Sequence, residues 1–298
     1  MENLTLQDLM DRYLQFGKVI RNYASATIMS YKGTFKLFLQ ETKIEDPKEL
    51  SKKVIEEWFY NGRLNRNWSS GTFRDHLKHL NPLFKWLVKE GHIPENYANE
   101  LEKPRLEHKL PKTLSKVEAQ LILETSFNLP YTYRFEKYRN FAIVAIMLLA
   151  GLRRNEVMKL KYGEVSLDNK SIFINQGKWG KDRIIPMNNR LQTVLLEYIQ
   201  RRKKMKKESI YFFTGVQRDL PIGVKLITRL MARLRIATGI QFSAHTLRHG
   251  FARLMLEGGC DIYTLSKLMG HSKITTTTIY LSCSNQQMSK GVEMHVLN

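Results

Sequence analysis

The sequence has few cysteines, no long apolar run and no apolar segment at its start. Its two cysteines, Cys260 and Cys283, cannot form a disulfide framework or, by themselves, a four-ligand zinc site. The most apolar run, 141–151, is too short to span a bilayer and predicts a buried helix. Because the first residues are charged and amphipathic, we expect no secretory signal, no membrane association and a cytoplasmic protein with reduced thiols.

Acidic residues are also scarce relative to basic ones. The chain has 28 Asp and Glu against 48 Lys and Arg, which gives a formal net charge of +20. Such a charge favours a polyanionic partner, of which nucleic acid is the most common. A nuclease with two metal ions would need clustered carboxylates, which this composition disfavours. A length of 298 residues with 43% hydrophobic residues is sufficient for two globular domains.

The first hundred residues predict an all-helical domain. Apolar residues at helical spacing predict helices near 5–19, 25–42, 48–60 and 70–90. The stretch 103–113 then has two prolines, several charges and no hydrophobic period, as is typical of a domain boundary. We therefore predict a helical domain over 1–103, a linker over 104–113 and a second domain over 114–298.

The second domain predicts helices around one small sheet. Ser115 and Glu118 form a capping box that opens a helix, and the apolar run predicts a buried helix over 139–150. The hydrophobic period then changes to two, which predicts a hairpin with strands near 171–175 and 182–187. Further helices are predicted near 189–206, 222–238, 245–257 and 261–269. The fold class is therefore mainly α with a small β-sheet (α+β).

Four segments of this second domain carry side chains that could surround one phosphate. In chain order they supply Arg153, Lys178, the triplet His245, Arg248 and His249, and the pair His271 and Tyr280. The triplet shares one face at a helix start, where free N–H groups also favour an anion. Taken singly, an arginine at a helix start or a lysine in a turn is usually only solvated.

A zinc site is the first alternative for the triplet. His245 and His249 are four residues apart on a predicted helix, which is a spacing that zinc ligands use. Arg248 lies between them, however, and no Cys or carboxylate follows at the spacing of a third ligand. We therefore predict no metal site.

The ordered set of motifs resembles the tyrosine recombinase family, also called phage integrases. The matching text is "GLRRNE" with Arg153, "GKWGKDR" with Lys178, "HTLRH" with His245 and Arg248, "MGHS" with His271, and Tyr280 nine residues later. The resemblance covers about 112–282 and, more weakly, the N-terminal helices, which are similar to the family's core-binding domain. Arg154 and Gly250 depart from the family pattern, where an apolar and a small hydroxyl residue are usual.

The resemblance implies a site-specific DNA recombinase that acts through a 3′-phosphotyrosine, without metal, ATP or another cofactor. Arg153 and Arg248 would clamp the scissile phosphate, and His271 would donate to a non-bridging oxygen. Tyr280 would be the nucleophile, with Tyr263 as the alternative. The remaining roles would be proton transfer from the nucleophile by His245, protonation of the leaving 5′-oxygen by Lys178 (alternatively Lys181), and support by Glu156 and His249.

The resemblance also implies how the protein would meet DNA. Two domains would clamp a duplex, and the basic cluster near the fourth helix would contact it through Arg63, Arg66, Arg74 and Lys78, a solvated surface being the alternative. A homotetramer would assemble on two recombination sites, in the nucleoid of a prokaryote or on a mobile element. The lack of a long N-terminal arm-binding domain favours a Xer-like subtype. A type IB topoisomerase and a catalytically silent DNA-binding protein are the alternative functions.

Overall fold

The computed structural model describes residues 4–106, 112–175, 182–271 and 274–280. The chain divides into two compact units, Met1–Lys109 and Leu110–Asn298. The finer bounds predicted for the linker, 104–113, stay a prediction because 107–111 lie outside the described residues. Within the described residues, no helix is both long enough and apolar enough to cross a membrane.

The first unit is built from four helices around an aromatic core. They are α1 (Leu6–Val19), α2 (Ser25–Thr42), α3 (Lys52–Leu64) and α4 (Ser70–Lys89). Phe38, Phe59 and Phe84 are fully buried at the centre. Their rings lie edge-on to neighbouring aromatic rings, such as that of Trp58 at 5.1 Å from Phe38, an arrangement that aromatic quadrupoles favour.

The third helix begins and ends about four residues later than the sequence predicts. Pro47–Glu49 forms a separate 3-10 turn that Asp46 caps, and the chain leaves helical geometry at Leu50. Ser51 then caps α3, since its Oγ accepts a hydrogen bond from the amide of Val54. The predicted range of 48–60 had merged the turn with the helix, because the apolar period runs through both.

The second unit contains eight helices and three short strands within the described residues. They are α5 (Lys116–Asn128), α6 (Arg134–Leu149), α7 (Arg154–Lys159), β1 (Val165–Ser166), β2 (Ser171–Ile174), β3 (Arg183–Pro186), α8 (Asn189–Lys204), α9 (Val224–Thr238), α10 (Ala244–Glu257), α11 (Ile262–Met269) and α12 (Thr275–Thr278). The predicted fold class, mainly helical with a small sheet, is confirmed.

The apolar run of the sequence forms α6, the central helix of this unit. Residues 142–148 are buried without interruption, and α6 packs against α5, α8 and α10. The helix begins at Arg134, five residues earlier than predicted, and buries Phe135 in the added turn. Two polar residues, Arg139 and Asn140, also lie inside. Arg139 is 2% exposed, and its guanidinium donates to the Asn140 side chain and to the carbonyl of Thr214.

The sheet is antiparallel in the order β1–β2–β3. Ile172 pairs with Ile185, and both side chains are buried against the helices. Both strands of the predicted hairpin are confirmed, whereas β1 was not predicted because it has only two residues. The tip of the hairpin, 176–181, lies outside the described residues and includes Lys178 and Lys181.

Candidate active site

A tight turn after α6 brings together two of the predicted site segments, those of Arg153 and Arg248. Gly151 has φ +65°, and a Cβ there would lie 2.4 Å from the Phe251 ring of α10. Only glycine combines this backbone conformation with so close an approach. The carbonyl of Gly151 accepts a hydrogen bond from Arg248 Nη1 at 2.5 Å, and Arg153 follows two residues later as the N-cap of α7.

Glu156, in the first turn of α7, lies among three arginines. Its carboxylate accepts hydrogen bonds from Arg153 Nη1 at 2.8 Å and from both terminal nitrogens of Arg183 at 2.9 Å. Arg248 Nη1 lies 4.0 Å from the same carboxylate. Burial alone would raise the pKa of Glu156, but the hydrogen bonds and charge of Arg183 and the hydrogen bonds of Arg153 lower it below its ordinary value. Glu156 is therefore an anion that holds three cations together.

Arg183, at the start of β3, is a site residue that the sequence reasoning missed. It is buried, and its Nε donates to the carbonyl of Leu268 at 2.8 Å. Strand alternation places Arg183 on the same face as the buried Ile185. A charged residue on the inward face of a strand needs a buried partner, and that pattern could have identified it.

Arg248, on α10, is 5% exposed. Its Nη2 donates to the carbonyl of Met269 at 2.5 Å and lies 3.3 Å from His271 Nε2. Burial and the neighbouring charge of Arg153 lower the pKa of Arg248 to about 9, so it remains a cation at neutral pH. Arg153 is the more accessible clamp residue, with a side chain that is 34% exposed.

His271 follows directly on the C-cap of α11. Gly270 ends that helix with φ +61°, and its carbonyl accepts a hydrogen bond from Arg153 Nη2 at 3.0 Å. His271 Nδ1 lies 2.8 Å from the Thr277 hydroxyl. Burial, followed by the charges of Arg248 and Arg153, lowers the pKa of His271 to about 4. The imidazole is therefore neutral at physiological pH.

Tyr280 contacts His249 rather than His245. The Tyr280 hydroxyl lies 2.5 Å from His249 Nδ1, whereas His245 is exposed. His245 and His249 lie four residues, or about one helical turn, apart on α10. Of these two imidazoles, Tyr280 contacts that of His249. Burial raises the pKa of Tyr280, which the charge of Arg248 opposes. Burial, and then the charges of His245 and Arg248, lower the pKa of His249.

Two basic side chains of the predicted DNA-contact cluster make hydrogen bonds inside the first unit. Arg63 Nη1 donates to the carbonyl of Trp68, and Arg74 donates through Nε and Nη2 to the carbonyl of Pro104 at 3.0 and 2.9 Å. Lys78 is exposed on α4. DNA contact by these residues stays a prediction.

Arg66, the fourth member of that cluster, also has partners within the unit. Its guanidinium forms an ion pair with Glu41 and lies 4.9 Å from the ring centre of Trp68. The Glu41 carboxylate also accepts from the Trp58 indole at 2.6 Å. The guanidinium thus has an anionic and an aromatic partner within the unit, and DNA contact by Arg66 stays a prediction as well.

The part of the chain that the structure describes holds no group of three or more His, Cys, Asp or Glu side chains placed to bind a metal ion. Lys178 and Lys181 lie outside it. The base of their hairpin is described, however, and Ile174 and Asn175 line the same cavity as Arg153 and Glu156.

Two sequence profiles match the chain. The profile of the Phage integrase family matches residues 112–287, and that of the phage integrase N-terminal SAM-like domain matches residues 8–92. The chain therefore belongs to the phage integrase family of tyrosine recombinases, which confirms the resemblance carried by the ordered motifs.

Its similarity to individual proteins extends over nearly the whole chain. Tyrosine recombinase XerC of Corynebacterium glutamicum is 27% identical over 284 residues, which are 95% of this chain and 90% of that protein. Tyrosine recombinase XerD of Rickettsia prowazekii is 27% identical over 310 residues, with 98% and 97% covered. Among solved structures, the Tn1549 transposon integrase in complex with a circular intermediate DNA shares the fold, with a TM-score of 0.75, 18% identity and 97% and 99% coverage. The XerH recombinase bound to difH substrate has a TM-score of 0.72, 21% identity and 97% and 84% coverage.

Proposed function

We propose that the protein is a site-specific DNA recombinase of the Xer type that cleaves and rejoins DNA through a 3′-phosphotyrosine, without metal or ATP. The observation that carries this proposal is the cluster of Arg153, Arg183 and Arg248 around Glu156, next to Tyr280. Metal-free phosphoryl transfer needs fixed donors around the non-bridging oxygens, where negative charge is concentrated in the transition state. Guanidinium groups suit this because each makes paired hydrogen bonds to phosphate.

In the cleavage step, the Tyr280 oxygen forms a bond to the scissile phosphorus and the bond to the 5′-oxygen breaks. Arg153 and Arg248 bind the non-bridging oxygens, with His271 as a further donor. The phenolic proton passes to an imidazole. His249 contacts the hydroxyl directly and is the acceptor that the geometry favours over His245. Because the phosphotyrosine retains the energy of the phosphodiester, rejoining is the reverse of the same step and requires no cofactor.

The leaving 5′-oxygen needs a proton, and Lys178 is our proposed donor. A positioned general acid is worth about 10²–10⁴-fold in rate. Strand β3, which follows Lys178 in the hairpin, is connected to the site by Arg183, which binds Glu156. Lys178→Ala should therefore cleave a duplex with the natural 5′-oxygen very slowly, and one with a 5′-bridging sulfur at near wild-type rate, since a thiolate leaves without protonation. Sulfur rescue of Lys181→Ala but not of Lys178→Ala would assign the role to Lys181.

We further propose that the protein binds duplex recombination sites and forms a homotetramer in the synaptic complex. We place this complex in the cytoplasm, associated with the nucleoid. The net charge of +20 supports the first part, as do solved relatives such as the lambda integrase dimer bound to a COC′ core site. Binding should weaken steeply as salt rises, because lysines and arginines displace counterions from phosphates. Deletion of 289–298 should spare binding to a single site and impair synapsis. Full recombination by the shortened chain would show that this segment has no such role.

The nucleophile is tested by the covalent complex it forms. Sequencing DNA that becomes attached to the protein in cells would yield the site, and duplexes of that sequence then serve as substrates. Tyr280→Phe should bind such a duplex normally and form no complex that resists denaturant, whereas the matched variant Tyr263→Phe should behave as wild type. A covalent complex with Tyr280→Phe would move the nucleophile to another residue.

The same assay separates the two alternative functions. A wild-type protein that forms no covalent complex would be a silent DNA-binding protein. Relaxation of supercoils without pairing of two sites would identify a topoisomerase of type IB.

A further inference from the structure

Thr277 lies between the two site residues of the C-terminal segment, His271 and Tyr280. It is fully buried on the short helix α12. Its hydroxyl is 2.8 Å from His271 Nδ1, and its carbonyl accepts the backbone amide of Tyr280 at 3.1 Å. One residue thus contacts both the imidazole donor and the backbone that carries the nucleophile.

The partners of His271 determine which of its nitrogens carries the proton. A neutral imidazole has one N–H, and the half-buried His271 is neutral at physiological pH. Arg248 Nη2 faces Nε2 at 3.3 Å, and a guanidinium can only donate. Nε2 therefore accepts, and Nδ1 carries the hydrogen and donates it to the Thr277 hydroxyl.

A bound phosphate requires the opposite tautomer. A non-bridging oxygen can only accept, so His271 can assist it only when the hydrogen is on Nε2. Nδ1 is then an acceptor, and the group beside it has to donate. A hydroxyl does either by rotating about its C–O bond, whereas a carboxylate or carbonyl at this position would fix the hydrogen on Nδ1.

We propose that Thr277 is a positioning residue that lets His271 change tautomer when DNA binds. Its hydroxyl accepts from Nδ1 in the free protein and donates to Nδ1 when a phosphate oxygen takes the hydrogen bond from Nε2. Because the carbonyl of Thr277 holds the amide of Tyr280, the phosphate contact and the placement of the nucleophile depend on the same residue. The inference rests on the proposed phosphate site and deepens it.

The tautomer itself can be measured by ¹⁵N NMR of the full-length protein labelled at histidine. In Tyr280→Phe, which cannot cleave, His271 should carry its hydrogen on Nδ1 in the free protein and on Nε2 with the mapped duplex bound. His271→Gln identifies its signals. The same protonated nitrogen in both states would overturn the proposal.

Cleavage rates test whether the hydroxyl acts through His271. Thr277→Val keeps the shape and removes the hydroxyl, and it should slow single-turnover cleavage about 3- to 10-fold, which corresponds to one net hydrogen bond. Thr277→Ser should restore the rate. The matched variant Thr278→Val, which removes a neighbouring hydroxyl that donates to the Thr275 carbonyl, should be unaffected.

The decisive comparison is made without the imidazole. In a His271→Ala background, Thr277→Val should cause no further loss, because the two residues act as a unit. An equal loss in both backgrounds would show that Thr277 has a purely structural role. The outcome is distinct from a failure of the proposed function, which would appear as the lack of any covalent complex with the wild type.

Discussion

Replacing Glu156 by alanine should destabilise the second unit far more than loss of one surface carboxylate would. The side chain is 11% exposed and is bonded to Arg153 and Arg183, with Arg248 close by. Removing one partner of a buried ion pair costs about 3–5 kcal/mol, because the remaining charge is left uncompensated. In a unit of this size, about 2–4 °C in melting temperature is lost per kcal/mol, so we expect a fall of about 6–20 °C.

Glu164→Ala is the matched control. Glu164 accepts the amide of Lys161 at 2.7 Å, as Glu156 accepts that of Arg153 at the same distance. Since the structure gives Glu164 no arginine partner among the described residues, its replacement should cost only about 0.5–1.5 kcal/mol, as for one hydrogen bond.

Scanning calorimetry of the full chain would record the loss of stability. Three of the four tryptophans, Trp58, Trp68 and Trp86, belong to the first unit. Tryptophan fluorescence therefore reports mainly the unfolding of the first unit, whose melting temperature should be the same in Glu156→Ala as in the wild type. Equal losses of stability in Glu156→Ala and Glu164→Ala would refute the reasoning, since the Glu156 carboxylate would then not stabilise the buried arginines.

Three further predictions concern the same unit. The free energy of unfolding that Glu156 contributes should be complete above pH 4.5, the ordinary pKa of its carboxyl. It should disappear as the pH falls through the lower pKa of the folded state. Chemical denaturation of wild type and Glu156→Gln at several pH values would measure this difference. Gly151→Ala should lower the melting temperature more than Gly239→Ala, since both have positive φ but only the first Cβ would meet another residue; equal effects would contradict this. His249→Phe should slow cleavage and move its pH optimum upward, because burial raises the pKa of Tyr280 and solvent must then take its proton; an unchanged pH profile would exclude His249 as the acceptor.

Local patterns predicted most of the framework but not the contacts that complete the site. A helix cap such as that of Ser115 and Glu118 is encoded by four consecutive residues, and the structure has that capping box. The bond between Glu156 and Arg183 joins residues 27 apart on a helix and a strand, and no local period encodes such a pairing. The ordered motifs named Tyr280, but which imidazole meets its hydroxyl depends on where the chain returns after α11.

The cluster around Glu156 also has a consequence for how the site could distinguish a reacting phosphate from a resting one. Three guanidiniums and one carboxylate leave a surplus of two positive charges among these residues. A phosphodiester in intact DNA carries a single negative charge, whereas the five-coordinate arrangement during attack by a phenolate carries two. The carboxylate thus lowers the charge of the cluster to match that of the five-coordinate state, so that intact DNA is held less tightly than it would be by the three cations without Glu156.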